Sequence, residues 1–252
     1  MTSSQFYVTL PSTSSFKYFP NNKLSSYTTH LHSPLRLVGD WEVGLVEISY
    51  PRTWYNISGD ACDVYYRGKH DIALEVVKLP SGYYETVDEI IIEIMRALPQ
   101  HLQKDIQLYV KAQCRKLVIN CSNSASIQFN KSLSRMLGFE DNVLIQKDTH
   151  SSFPVDIHRG FYSLYVYSDI VSSQYVGDTL APLLRTVEMD HSTVGGMVCK
   201  TYNSPHYVPV KLRDIETIKI DLRLDSGKLL PFESGQVICK VHFRLRKSSY
   251  LI

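Results

Sequence analysis

The sequence predicts a mainly β protein, an antiparallel sandwich or jelly roll interrupted by a small α+β unit. Three observations carry this. The last forty residues hold two runs that alternate apolar and polar side chains, Ile218–Leu224 and Val237–Leu245. A period of two puts one set of side chains on a buried face and the other in water. Near residue 86 the period changes to that of a helix. Elsewhere short strand-like runs recur between turn signals, at the spacing of a sandwich or jelly roll.

Taken in order, Phe6–Leu10 is a short first strand that stops at Pro11, and Pro11–Asn22 is a Ser-, Pro- and Asn-rich loop. Ser26–Leu37 is β-prone, with Tyr27, Thr29 and Leu31 on one face. Trp41–Tyr50 is a strong strand with apolar residues at both parities (Trp41, Val43, Leu45; Val46, Ile48, Tyr50), so both its sides are expected to be covered. Cys62–Tyr66 and Ile72–Val77 are further strands. Thr86-x-x-Glu89 is a capping box, and Val87, Ile90, Ile91, Ile94, Met95 and Leu98 follow at helical spacing until Pro99. Strands are expected at Ile106–Val110, Lys116–Asn120 and Ser126–Phe129. A second helix over Lys131–Leu137 ends at Gly138, with Phe139 placed to fold back on Leu133. After a polar loop (His150–Asp156) come strands at Phe161–Tyr167, Leu183–Met189, Gly196–Tyr202 and Tyr207–Val210, then closing hairpins turned at Asp225-Ser226-Gly227 and Glu233-Ser234-Gly235. The expected division is 1–78 with 151–252 for the β domain and 79–150 for the inserted unit.

Composition bounds the function. The chain has 252 residues, 44% of them hydrophobic, so a substantial core is available. Net charge is +2, which does not mark a nucleic-acid binder; the one dense basic cluster, Arg244-Leu245-Arg246-Lys247, reads as a solvated strand end. Five scattered cysteines without a CxxC motif fit free thiols in a reducing compartment, each expected to act as a buried small hydrophobe. No secretory leader is expected, and no apolar run reaches the length of a membrane span. Seventeen tyrosines suit either a sandwich with aromatic outer faces or a surface made to be buried against other copies of the chain.

No catalytic, cofactor-binding or metal site is expected. His30-x-His32 puts two imidazoles on one strand face but lacks a third ligand at useful spacing. Cys114 and Cys121 have no base signature beside them. Asp190-His191-Ser192 holds triad residue types, but triad members normally come from separate segments. Asp88, Glu89 and Glu93 belong to the solvent side or the N-terminus of the first helix. A cored chain without a polar constellation points to binding or structure rather than catalysis.

An ordered set of motifs carries a family resemblance. It begins with Phe6-Tyr7-Val8-Thr9-Leu10-Pro11-Ser12 and Phe19-Pro20-Asn21-Asn22, and continues through Leu37-x-Gly39-x-Trp41-Glu42-Val43-Gly44-Leu45 to Tyr50-Pro51-x-Thr53-Trp54. Leu79-Pro80-Ser81-Gly82-Tyr83-Tyr84, Leu137-Gly138-Phe139, Val176-Gly177-Asp178, Pro182-Leu183-Leu184-Arg185 and Gly235-x-Val237 through His242-Phe243-Arg244 follow. Together they resemble the penton (minor capsid) proteins of Polinton/Maverick elements and adintoviruses. The resemblance implies a single jelly-roll β-sandwich with a small inserted α+β subdomain. It implies a virion protein made in the host cytoplasm or nucleus, a homo-pentamer at the icosahedral vertices, with a double-jelly-roll major capsid protein as partner. It implies no enzyme and no cofactor.

A ring of five needs two unlike flanks on each subunit. Trp41–Tyr55 and Phe161–Tyr175 are candidate segments for burial between subunits. Trp41 is read as core, whereas Trp54 stays open between core and interface. The inserted unit could face a host surface or a neighbouring capsomer. One alternative is a carbohydrate- or receptor-binding jelly roll using Tyr65-Tyr66, Tyr83-Tyr84 and Tyr162 as stacking platforms. The other is a cupin-like metalloenzyme, against which the nine histidines are dispersed.

Overall fold

The computed structural model describes residues 4–69, 71–190 and 195–246. The chain forms two compact units, 1–53 with 160–252 and 54–159. Within the first unit lie β1 (Gln5–Pro11), β2 (Ser26–Arg36) and β3 (Trp41–Pro51). The second unit holds β4 (Asp63–Arg67), β5 (Glu75–Lys78), α1 (Val87–Ala97), β6 (Ile106–Lys111), β7 (Lys116–Cys121), β8 (Ser126–Phe129), α2 (Lys131–Met136) and β9 (Thr149–His150). The first unit resumes with β10 (Ser163–Ser168), β11 (Gln174–Val176), β12 (Thr179–Ala181), β13 (Leu183–Glu188), β14 (Met197–Thr201), β15 (Val208–Pro209), β16 (Asp214–Arg223) and β17 (Ile238–Leu245).

The first unit is a jelly roll. One sheet runs β1-β17-β3-β14, with β15 also on β3; the other runs β13-β10-β16-β2. Numbered in chain order, the eight principal strands stand 1-8-3-6 in one sheet and 2-7-4-5 in the other, the double Greek key of this fold. The core lies between the sheets. Leu10, Leu45, Ile48, Cys239, Val241 and Phe243 come from one, and Tyr27, Leu164, Val166, Leu184, Ile220 and Leu222 from the other, all nearly or fully buried. The Tyr27 hydroxyl donates to the Leu10 carbonyl at 3.0 Å, so its polar tip is satisfied inside the sandwich.

Two sequence expectations change here. The last two long strands do not pair with each other. β16 lies between β10 and β2, whereas β17 lies between β1 and β3, because successive strands of a jelly roll cross between sheets. The Asp225-Ser226-Gly227 turn does reverse the chain, with the Leu224 N–H on the Lys228 carbonyl, but it returns only as far as Leu230. The double parity of β3 also has another cause than two covered faces. The ladder with β17 shifts between Lys240 and Val241, so Leu45 faces Val241 and Ile48 faces Cys239. That bulge brings Val43, Leu45, Ile48 and Tyr50 into the same core.

The second unit has its own core. Two three-stranded antiparallel sheets, β5-β4-β8 and β6-β7-β9, enclose it with α1 and α2. Thr86 caps α1 by accepting from the Glu89 N–H at 3.3 Å, and Ile90 and Ile94 are its buried stripe. The Glu89 carboxylate reaches back to the N–H of Glu85, one residue before the position that a capping box predicts. Gly138 takes the left-handed conformation (φ 82°) beyond α2, and Phe139 is buried with its ring 6.2 Å from that of Phe129. The expected unit boundaries, 78/79 and 150/151, move to 53/54 and 159/160. The reason is pairing: β4 bonds to β5 on one side and to β8 on the other.

Candidate subunit interface

One end of the jelly roll carries an apolar opening. The start of β1, the β2–β3 turn and the end of β17 meet there. Phe6, Trp41 and Leu245 of one sheet and Leu35, Leu37 and Val38 of the β2 side surround an open mouth of about 530 Å³. The Phe6 ring stacks on Phe243 (4.9 Å between centroids, 7° between planes) and meets Trp41 at 5.5 Å. Trp41 is half-buried, its indole N–H donating to the Val38 carbonyl at 3.0 Å. Trp54, which the sequence left open, is buried, and Trp41, expected in the core, lines the mouth instead. Val38 is 87% exposed at the rim. Arg36 also lines the mouth, and an adjoining recess of about 370 Å³ carries Lys211, Arg213 and Arg246. Asp40 lines that recess too, so the rim carries four cationic side chains against one carboxylate.

The β10–β13 connection runs toward this same end, because β10 is antiparallel to β16 and β16 starts beside the end of β2; β10 itself stops at Ser168, opposite Ile220. It holds a feature the sequence reading missed, the two-stranded ribbon β11–β12. Its register places Tyr175 opposite Leu180, on one face, and both are exposed (80% and 60%). Gly177 (φ 61°) and Asp178 form its two-residue turn, with glycine at the first position as such a turn requires. The Gln174 side chain ties its base to the Leu183 carbonyl at 2.6 Å. Gly-Asp between two short β-prone runs is a hairpin signal, but each arm is only three residues long.

A polar aromatic cluster covers the outer face of the β1-β17-β3 sheet. Residues 205–207 cross so close to Gly44 that a Cβ there would lie 2.8 Å from the His206 carbonyl oxygen. This places Tyr207 on the sheet. Its hydroxyl is 2.7 Å from His242 Nδ1, and the Arg244 guanidinium stacks 3.5 Å above its ring while bonding to Glu42. Tyr7 stacks on the other side of His242 at 4.4 Å. His242 is buried and its Nε2 has no hydrogen-bond partner. Burial, and then the nearby Arg244 charge, hold its pKa below the ordinary histidine value.

On the other sheet's outer face, Tyr165 and Tyr167 stack at 6.5 Å, with Leu164 and Val166 buried inward. A small recess of about 190 Å³ beside Tyr167 holds Asp169, Lys219 and Asp221. Burial raises the Asp169 pKa although the Lys219 N–H donates to it at 2.9 Å.

The residues weighed for chemistry do not converge. His30 meets the Tyr18 ring at 4.2 Å with the planes tilted by 40°, and His32 is exposed. Among the described residues no group of three or more His, Cys, Asp or Glu is placed to hold a metal. His191 and Ser192, like Lys247 of the basic cluster, lie outside the described residues. Glu93 is engaged in an ion pair with Arg96. The cysteines are free, but only Cys62 and Cys239 are buried; Cys114 and Cys121 are half-exposed and Cys199 is exposed, so the expectation of five buried thiols is corrected. Cys199 alternates outward from buried Val198 on β14. Neither tyrosine pair presents two rings outward: Tyr66 turns inward by the alternation of β4 and donates to Glu75, and Tyr84, in the loop before α1, is buried and donates to the Pro80 carbonyl at 2.8 Å. Tyr162 alone of those is openly exposed. Among the described residues no helix is long and apolar enough to cross a membrane.

No protein-family model and no curated protein matches the sequence. Among solved structures, the chain is similar to the penton protein of mavirus, in a crystal structure of the selenomethionine-labelled protein. The TM-score is 0.55 at 12% sequence identity, and the superposition covers 96% of this chain and 99% of that one. The likeness establishes the fold.

Proposed function

We propose that this chain is a penton (minor capsid) subunit. It assembles as a homo-pentamer at the vertices of an icosahedral capsid whose faces are built by a double-jelly-roll protein. Its role is structural rather than catalytic, and its place is the virion. The observation that carries the reading is the end-to-end extent of the likeness to a viral penton protein, which takes in the inserted unit as well as the jelly roll. A jelly roll alone would not choose between capsid and lectin. The unlike features at one end of the sandwich, an apolar mouth and a projecting ribbon, suit a heterologous ring contact.

Native mass measurement of the purified chain, with electron microscopy of the particles, tests this. A fivefold mass and five-fold rings are expected. Monomers over a wide range of concentration and salt would overturn the reading.

A further inference from the structure

We infer that the β11–β12 ribbon of one copy seats in the apolar mouth of the next, and that this contact closes the ring. The inference rests on the pentamer proposed above and names the surfaces that make it. A free two-stranded ribbon is marginal in water, yet this one presents its largest apolar pair, Tyr175 and Leu180, outward. The mouth is the complementary shape: about 530 Å³, within the range that accepts a few side chains, and lined by Phe6, Leu35, Trp41 and Leu245.

Charge agrees with shape. The ribbon carries a carboxylate at its turn, Asp178, whereas Arg36 lines the mouth and Lys211, Arg213 and Arg246 line the recess beside it. Both features belong to the same unit and lie toward the same end of the sandwich. Ribbon and mouth are different surfaces, so the contact is head-to-tail and propagates around a ring.

Two measurements test it, on full-length protein carrying Cys199→Ser to silence the exposed native thiol. In the first, Tyr175→Ser with Leu180→Ser is expected to shift the native mass from fivefold to monomer without changing the thermal transition of the subunit. Asp178→Arg is expected to weaken the assembly, and adding Arg36→Asp to restore it. In the second, Leu180→Cys and Val38→Cys are made in separate chains and mixed under mild oxidation. A disulfide-linked dimer is expected in the mixture, and a ladder up to five chains when one chain carries both. A fivefold mass retained by the Tyr175→Ser/Leu180→Ser variant, with no cross-link between chains, assigns the mouth to another occupant and overturns this contact while leaving the pentamer standing. A cross-link confined within one chain has the same meaning. A wild-type chain that never leaves the monomer overturns both.

Discussion

The Tyr207 hydroxyl lies 2.7 Å from Nδ1 of His242, on a face of the sheet that a strict period of two would leave in water. The pair is sheltered because residues 205–207 cross over Gly44 and Tyr7 closes the other side. Replacing Tyr207 with Phe keeps the ring under Arg244 but leaves a second nitrogen of a buried imidazole without a partner. The expected cost is about 1–3 kcal/mol in urea denaturation.

Acid should weaken the subunit through the same residue. His242 binds its proton less readily in the folded protein than in the unfolded chain, whose value is near 6.5. Below that pH the unfolded state takes up the extra proton, so stability falls until the lowered folded pKa is also passed. Melting temperature against pH should therefore decline below about 6.5, and the decline should be shallower in His242→Gln. Equal slopes in the two proteins would show that other groups carry it.

Gly44→Ala should destabilise by about 1–3 kcal/mol, since the added methyl meets backbone rather than a movable side chain. Circular dichroism melting against wild type reads this. An unchanged transition would mean that the 205–207 crossing lifts away without loss.

The thiols should separate by accessibility. Cys199 is exposed, whereas burial pushes the Cys239 thiol up to about 12 and the Cys121 thiol up to about 11. Brief maleimide treatment followed by peptide mass spectrometry should label Cys199 first and Cys239 only after unfolding.

Thr86→Ala should remove the cap of α1 and cost about 1 kcal/mol, while Thr86→Asp should be nearly neutral. Hydrogen exchange at Asp88 and Glu89 is the local readout.

Local signals were legible and long-range ones were not. The alternation of Ile218–Leu224 and Val237–Leu245 located β16 and β17, and the capping box located α1. Which sheet β16 and β17 join depends on partners near residues 27 and 48, and no local pattern encodes that. The β3 bulge misled because an extra residue inverts parity without changing composition. Strand β5 begins at Glu75 rather than Ile72, which is almost wholly solvent-exposed and so gains nothing from its β propensity. At the candidate interface, Trp41–Tyr55 and Phe161–Tyr175 stand out in the sequence as aromatic segments, but Trp41 itself reads as core, and the mouth exists only where the start of β1 meets the ends of β2 and β17. The ribbon arms are too short to stand out from a loop.

The position of β17 fixes the order in which the chain can be completed on the ribosome. It lies between β1 and β3, so two of the earliest strands to emerge cannot find their common neighbour until residue 245 has been made. Among the described residues, the strands of 54–159 pair with one another, so this unit is free to fold during that wait. During synthesis the unfinished sheet edges of β1 and β3 are open to other chains, and a nascent protein of this topology has most need of chaperones between those two moments.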